Sequence, residues 1–380
     1  MKIDGYARIS VDLQEDSHEN TSIENQKRII RDFVAKEIRV VGVSFYDFPL
    51  SAISDPNTTL EFRYGHGMDV AVLTYAMLDS VGLKPRIILG DSSRLPADGD
   101  DATVDGNGFF DVILVAVDDG GETYYVNDGS EYSDLRTTRE DGVICADLDG
   151  ENWYSLDLPE ELADSVSTRY DVEIHPDCSA EVEVTREYRG TMVEGVRRLY
   201  SEITPEDRRR HVLETVSSYC RGAVLEGGYE TYVESYPVVE KFRIRVPHWA
   251  VEEGGTMSVR LIGSERTAVG PRYGERAHSF YRENVNRFRD EWNLLLPEEV
   301  QSVSLLPREN EFDRADIGTV LKTKCTESRG DDGRLRVSVL RESVLERAMF
   351  GVADYMEFME SALNTRGRAA DTVVLELSGN

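Results

Sequence analysis

One short stretch of this chain has residue types and spacing suited to a reactive site. In Tyr64-Gly-His-Gly-Met-Asp69 a histidine stands between two glycines, directly ahead of the apolar run Val70–Val81. Glycine lets a turn take backbone angles that side chains forbid. Asp69 stands where a first-turn carboxylate favours the positive end of a helix dipole. A tight loop feeding the N-terminus of a buried helix is a place to activate a nucleophile or to hold an anion. His66 has the chemistry of a base, but the loop holds no nucleophile. The nearest cysteine in sequence, Cys145 in GVICADL, belongs to a later apolar strand, where a buried structural thiol is the expectation. The acidic, glycine-rich run Asp98-Gly-Asp-Asp101 to Asp105-Gly-Asn107 invites a calcium reading. It lacks the alternating ligands and closing Glu of an EF-hand loop and reads as a solvated insertion. His175, His211 and His248 sit alone, without ligand spacing.

These residues need elements to position them. The sequence VAVLTYAMLDSV is apolar almost all round and predicts a helix buried on every side. Gly82 marks its C-terminal stop, and Lys84–Gly90 follows as a strand.

The 380 residues are enough for two or three domains, and 40% hydrophobic with 9% aromatic residues describes a globular chain. A formal net charge of −29 argues against a nucleic-acid partner, because binding DNA means neutralising phosphates with Lys and Arg. The four cysteines show no CxxC spacing, so neither a zinc signature nor a dense disulfide framework is expected. The opening MKIDGYARIS has no apolar segment of signal-peptide length, and no run approaches the ~18 apolar residues of a membrane span. The expectation is a cytoplasmic protein with no cofactor and no metal.

At the N-terminus, Tyr6-Ala-Arg8-Ile-Ser10, then Ser22-Ile-Glu-Asn-Gln26 and a helix to Phe33, resembles the opening of the serine recombinase (resolvase/invertase) catalytic domain. The resemblance implies Ser10 as a nucleophile toward a DNA phosphate and Arg8 as its phosphate-binding partner. What should follow is absent: no Asp-Gly-x-Ser-Gly turn, no later Ser-Arg…Arg cluster and no basic C-terminal region. Without several cations, a serine cannot attack a phosphodiester. Residues 1–36 therefore read as a recombinase-like fragment, strand, loop and helix, and its alternative function is a serine site-specific recombinase fragment.

From Ile38 the chain resembles the core of bacterial transglutaminase-like proteins, of the papain-like superfamily. That family places Gly-x-Cys-x-Asp at the start of a long buried helix, then a strand, a strand bearing His and a strand ending in Asp. Gly65-His-Gly67-Met-Asp69, preceded by Thr59-Leu60, aligns with the first element; Phe109–Val117 aligns with the His strand and Tyr124–Tyr132 with the Asp strand. The resemblance puts Gly67 at the nucleophile position, Asp111 at the base position and Asp128 at the orienting acid. An orienting acid with no imidazole to orient has no catalytic meaning. The alignment also raises a metal-assisted hydrolase, in which Asp69, Asp111 and Asp128 converge and attract a cation.

The C-terminal half, 151–380, resembles the β-rich domain that follows this core in multidomain relatives. Strands are predicted at Thr168–Ile174, Ala180–Arg189, Tyr229–Glu234, Val239–Val246, Thr256–Ile262, Val300–Leu306, Arg334–Leu340 and Thr372–Leu377. Helices are predicted at Met192–Ile203, Thr204–Tyr219 and Leu345–Leu363. Arg272, Arg276, Arg282, Arg287 and Arg289 around His278 read as a solvated basic interlude. The expected fold is α+β: the recombinase-like fragment (1–36), a degenerate papain-like transglutaminase core (37–150) and a mostly antiparallel β domain with helices (151–380). The expected function is a catalytically inactive binding or scaffold protein whose cleft, at His66 and Asp69, takes a peptide or small-molecule ligand.

Overall fold

The structure is a computed structural model that describes residues 23–41, 52–92, 110–150, 153–220, 222–262, 278–282, 285–364 and 371–378. The fold is α+β with mostly antiparallel sheets. Its contacts divide the chain into two compact units. One comprises residues 1–163 with 193–195, the other 164–192 with 196–380. The acidic run 98–107, Arg8 and Ser10 lie outside the described residues.

The first unit begins with helix α1 (Ile23–Glu37), then β1 (Arg39–Val40), α2 (Pro56–Phe62), β2 (Tyr64–Gly65) and α3 (Gly67–Ser80). A five-stranded sheet follows, made of β3 (Pro85–Asp91), β4 (Val112–Asp119), β5 (Glu122–Tyr125), β6 (Val143–Asp147) and β7 (Tyr154–Leu156), in the antiparallel order β5-β4-β3-β6-β7. β4 is apolar along most of its length because both its faces are covered. Val115 and Val117 face the cluster holding Leu73, Met77 and Leu78 of α3, while Leu114 and Ala116 join Ile88, Val143 and Cys145 on the other side. α3 is not buried all round, since Tyr75 reaches solvent. It ends as expected: Gly82 takes φ +84° and its neighbour Leu83 N–H bonds back to Leu78 O.

The helix that resembles the recombinase opening is part of this first core. Ile30, Phe33 and Val34 pack with Leu73 and Met77, at the i, i+3, i+4 spacing of one helix face. Lys27 is fully buried, with its Nζ 3.0 Å from Asp119 Oδ2 and 3.3 Å above the Tyr124 ring centre. Buried Arg31 donates from Nη1 to Ser133 O at 2.7 Å and from Nη2 to Glu131 O at 3.2 Å. Two cations on successive turns thus clamp α1 to β5 and to the loop beyond it. Replacing Lys27 by Ala empties a fully buried position and removes an ion pair and a cation–π contact, and should cost about 2–3 kcal/mol in urea unfolding. Exposed Arg28→Ala should stay within about 0.5 kcal/mol.

The second unit contains β8 (Ser165–Ile174), β9 (Ala180–Arg189), α4 (Met192–Glu202, whose first turn falls in the other unit), α5 (Pro205–Tyr219), β10 (Val224–Tyr232) and β11 (Val238–Val246). It continues with β12 (Ala250–Glu253), β13 (Thr256–Arg260), β14 (Phe280–Arg282), β15 (Asn286–Leu295), β16 (Val300–Leu305), β17 (Asn310–Arg314), β18 (Thr319–Arg329), β19 (Leu335–Leu345), β20 (Ala348–Phe350), α6 (Val352–Asn364) and β21 (Thr372–Leu377). An eight-stranded sheet, β10-β11-β9-β8-β15-β19-β18-β17, shares one core with a four-stranded sheet, β12-β13-β21-β16. Only its β8–β15 pairing is parallel. There Trp292 lies in register with Tyr170, the rings stacked with centroids 5.4 Å apart, and its indole N–H bonds Ile262 O.

Several expectations need correction here. The helix predicted at Leu345–Leu363 starts at Val352, because Leu345 closes β19 and Ala348–Phe350 forms β20. The supposed basic interlude contains β15, the middle of the large sheet. Arg282 is not solvated: its buried guanidinium donates to the carbonyls of Ile317, Gly318 and Glu346 and to Thr319 Oγ1. Burial lowers its pKa to about 10, with Glu346 acting the other way.

Helix α4 is fastened over the large sheet by a buried carboxylate, and α5 by the arginine beside it. Glu240 on β11 accepts from Tyr188 and Tyr200 at 2.7 Å and from Tyr229 at 3.1 Å. Arg186 stands 3.8 Å from the same carboxylate and donates to Tyr188 and Tyr219. Burial pushes the Tyr188 hydroxyl up to about 12, with Arg186 opposing and Glu240 adding to the rise. Tyr200 and Tyr229 are raised for the same reasons, burial first and Glu240 next. The Tyr188 contribution to stability is therefore intact below the ordinary phenol value of 10.0 and is lost as pH climbs from there through about 12, and those of Tyr200 and Tyr229 are lost at higher pH still. Denaturant unfolding should show stability declining across that window, with a shallower decline in Glu240→Gln. An identical slope in the variant would exclude the carboxylate as its cause.

Candidate functional site

The loop ahead of α3 is built by backbone hydrogen bonds. β2 pairs in parallel with β1, and this leads the chain into His66 at φ −69° and ψ 162°, the N-cap of α3. The His66 Nδ1 accepts the Met68 N–H at 3.3 Å, so the ring proton of the neutral imidazole belongs on Nε2. Asp69 completes a capping box by accepting the His66 N–H at 2.8 Å on Oδ2. Its other oxygen, Oδ1, accepts the Ser54 N–H at 2.7 Å. Both side chains are buried. The histidine read as a base and the aspartate read as a ligand-cleft residue thus hold the loop and the helix start together.

The two flanking glycines differ in kind. A Cβ at Gly65 would lie 2.8 Å from Asp69 Cβ and 3.0 Å from Thr59 Cγ2, so only glycine lets the strand pass so close to the capping aspartate. At Gly67, the first residue of α3 and the position aligned with a nucleophile, a Cβ would meet nothing within 4 Å.

Asp111 and Asp128 are each tied within their own loop. Asp111, just ahead of β4, accepts the Ser92 N–H at 2.7 Å and the Ser92 hydroxyl, and its own N–H bonds Gly90 O. It clasps the end of the β3–β4 pair. Asp128 lies beyond the end of β5 rather than on a strand, where it accepts the Arg139 N–H at 2.8 Å and the Thr138 hydroxyl. Its neighbour Asn127, which sequence reasoning passed over, accepts Val115 N–H at 2.6 Å and donates to Ile113 O at 3.0 Å, so an amide side chain continues the β4 ladder. Among the described residues no group of three or more His, Cys, Asp or Glu is placed to hold a metal ion. Asp69, Asp111 and Asp128 therefore do not form the convergent carboxylate site that the alignment raised. Cys145 is fully buried against Gly90, whose added Cβ would meet its sulfur at 2.9 Å, as a structural thiol would be.

Comparison with known proteins places little beside this site. No protein-family model matches the chain, and no curated protein matches it. Among solved structures, it is similar to a "putative protease" from Parabacteroides distasonis ATCC 8503, with a TM-score of 0.49 and 12% identity over 99% of this chain. The chain spans 55% of the length of that protein. No helix among the described residues is long and apolar enough to cross a membrane.

The contrast between the glycines is testable by thermal or denaturant unfolding. Gly65→Ala should destabilise by about 2–3 kcal/mol, as overpacking against fixed neighbours does. Gly67→Ala should be neutral or stabilising by up to about 1 kcal/mol, since it lowers unfolded-chain entropy in open space.

Proposed function

We propose that this protein is a catalytically silent relative of the transglutaminase-like proteins, acting as a binding or scaffold protein whose cleft ahead of α3 takes a peptide or small-molecule ligand. The observation that carries the reading is Gly67: open space lies where the aligned family has its nucleophile, and the polar groups around that point are committed to hydrogen bonds of the fold. A thiol needs an imidazole to activate it, and the only histidine of the loop spends its Nδ1 on a backbone N–H. Four cysteines among 380 residues, without the spacing of a dense disulfide framework, support a cytoplasmic location.

Purified protein should show no transamidation of glutaminyl peptides and no peptide hydrolysis above background. Turnover that Asp128→Asn abolishes would overturn the reading. The openness of the cleft has its own test. In Gly67→Cys, the new thiol should react with a maleimide in the native state, above the labelling of the unaltered protein. A thiol that reacts only after unfolding would show a closed cleft and remove the ligand from the proposal.

A further inference from the structure

The four-stranded sheet β12-β13-β21-β16 gives one face to the core of the second unit and turns the other outward. Met257, Val259, Val373 and Leu375 point inward and are buried. The outward residues fall into rows that cross the strands. The middle row runs from Val251 on β12 to Ser258 on β13, Val374 on β21 and Leu305 on β16, each in register with the next. A solvated face of an antiparallel sheet is ordinarily polar. Here both ends of the middle row are aliphatic and open, Val251 at 64% exposure and Leu305 at 46%.

The rows on either side carry opposite charge. Toward the β12–β13 turn the row is Glu253, Thr256, Glu376 and Ser302. On the other side Arg260 stands beside Thr372. Glu253, Glu376 and Arg260 are all exposed. Among the described residues no ion pair joins Glu253 or Glu376. An acidic row, an apolar row and a basic position therefore follow one another at steps of about 6.6–6.8 Å, two residues of strand rise.

We propose that a second copy of this chain packs face to face on this sheet, about a two-fold axis that runs along the middle row. Such an axis reverses the strand direction and sets each strand over its own counterpart. Val251, Val374 and Leu305 then meet themselves across the axis. Arg260 of each copy faces Thr256 of the other, between Glu253 and Glu376, which stand about 4.8 Å to either side on the neighbouring strands. An axis along the strands would instead lay one acidic row on the other, so the charges select the first arrangement. Four strands about 4.8 Å apart and about five residues long make a face of roughly 300 Å2 in projection, well below the ~800 Å2 per partner of a standard interface. The dimer is therefore weak and reversible. The net charge of −29 opposes it at long range, and salt at physiological strength screens that repulsion beyond about 8 Å.

The test is sedimentation velocity of the full chain at physiological salt, which should show a monomer–dimer equilibrium with Kd on the order of 10–100 µM. Arg260→Glu puts like charges together on both sides of the axis, and so does Glu253→Lys/Glu376→Lys. Each should weaken dimerisation about tenfold or more. Mixed in equal amounts, the two variants should form a heterodimer, because every contact is again a cation beside an acid. Arg209→Glu makes the same charge change at an exposed position of α5 and should leave the dimer as it was. Thermal unfolding shows whether the variants fold. If Arg260→Glu does not, Val251→Asp takes its place with the same expected loss, and Val251→Lys becomes its mixing partner. A chain that stays monomeric to about 300 µM, several times that expected Kd, would overturn the proposal. So would a dimer that Arg260→Glu leaves intact, an equal loss in Arg209→Glu, or no heterodimer on mixing.

Discussion

Asp69 is the constraint on which the first unit depends. Its buried carboxylate accepts two backbone N–H groups, one from His66 and one from Ser54. Charge-assisted bonds of this kind are worth about 1.5–3 kcal/mol each. They fix both the start of α3 and the segment that enters α2. The carboxylate can come so close only because Gly65 has no side chain. Once α3 starts at that point, Leu73, Met77 and Leu78 fall against β4, and the sheet order β5-β4-β3-β6-β7 has a helix to pack upon.

The same logic runs outward from the loop. The residues that could have made a reactive centre are each satisfied by a neighbour in sequence or in the adjoining strand: His66 by Met68, Asp111 by Ser92, Asp128 by Thr138 and Arg139. A carboxylate that already accepts two hydrogen bonds has less capacity to ligate a metal or orient a base. Helix α1 adds a second layer, since Arg31 holds the Ser133 segment between Asp128 and Thr138. The piece that looks borrowed from another family by sequence is thus a structural support of the loop that carries Asp128.

What was legible in the sequence followed period and punctuation. α3, β4 and the Thr204-capped α5 were readable because an apolar run, a glycine stop or a capping box is local information. Thr204 accepts the Asp207 N–H as its capping box requires. β15 and β18 were not readable, because their alternation is obscured by arginines, lysines and threonines whose partners lie far along the chain. Trp292 is the one strong sign in β15, and its significance depends on Tyr170 on a distant strand. Arg282 misled for the same reason: a lone arginine among others reads as solvated, and only the fold brings three carbonyls around it. The site was half legible. The capping aspartate could be inferred from its position, but whether His66 was a base or a cap depended on a ring nitrogen's neighbour.

The second unit meets charge in two opposite ways on one sheet. Glu240 is buried, yet three phenol hydroxyls and a nearby guanidinium surround it, so its cost of leaving water is offset by bonds of which one also holds α4. On the outer face, acids face acids across β8 and β9, and arginines balance them: Arg243 and Arg245 on β11 stand opposite Glu183 and Glu181, and Arg334 pairs with Glu173. A buried carboxylate without partners would unfold the sheet, whereas exposed ones in opposed pairs only lower its stability by a fraction of that amount. Glu240 is satisfied inside the fold by hydroxyls, whereas the outer-face acids are satisfied by arginines across the strands and from the β18–β19 end of the sheet.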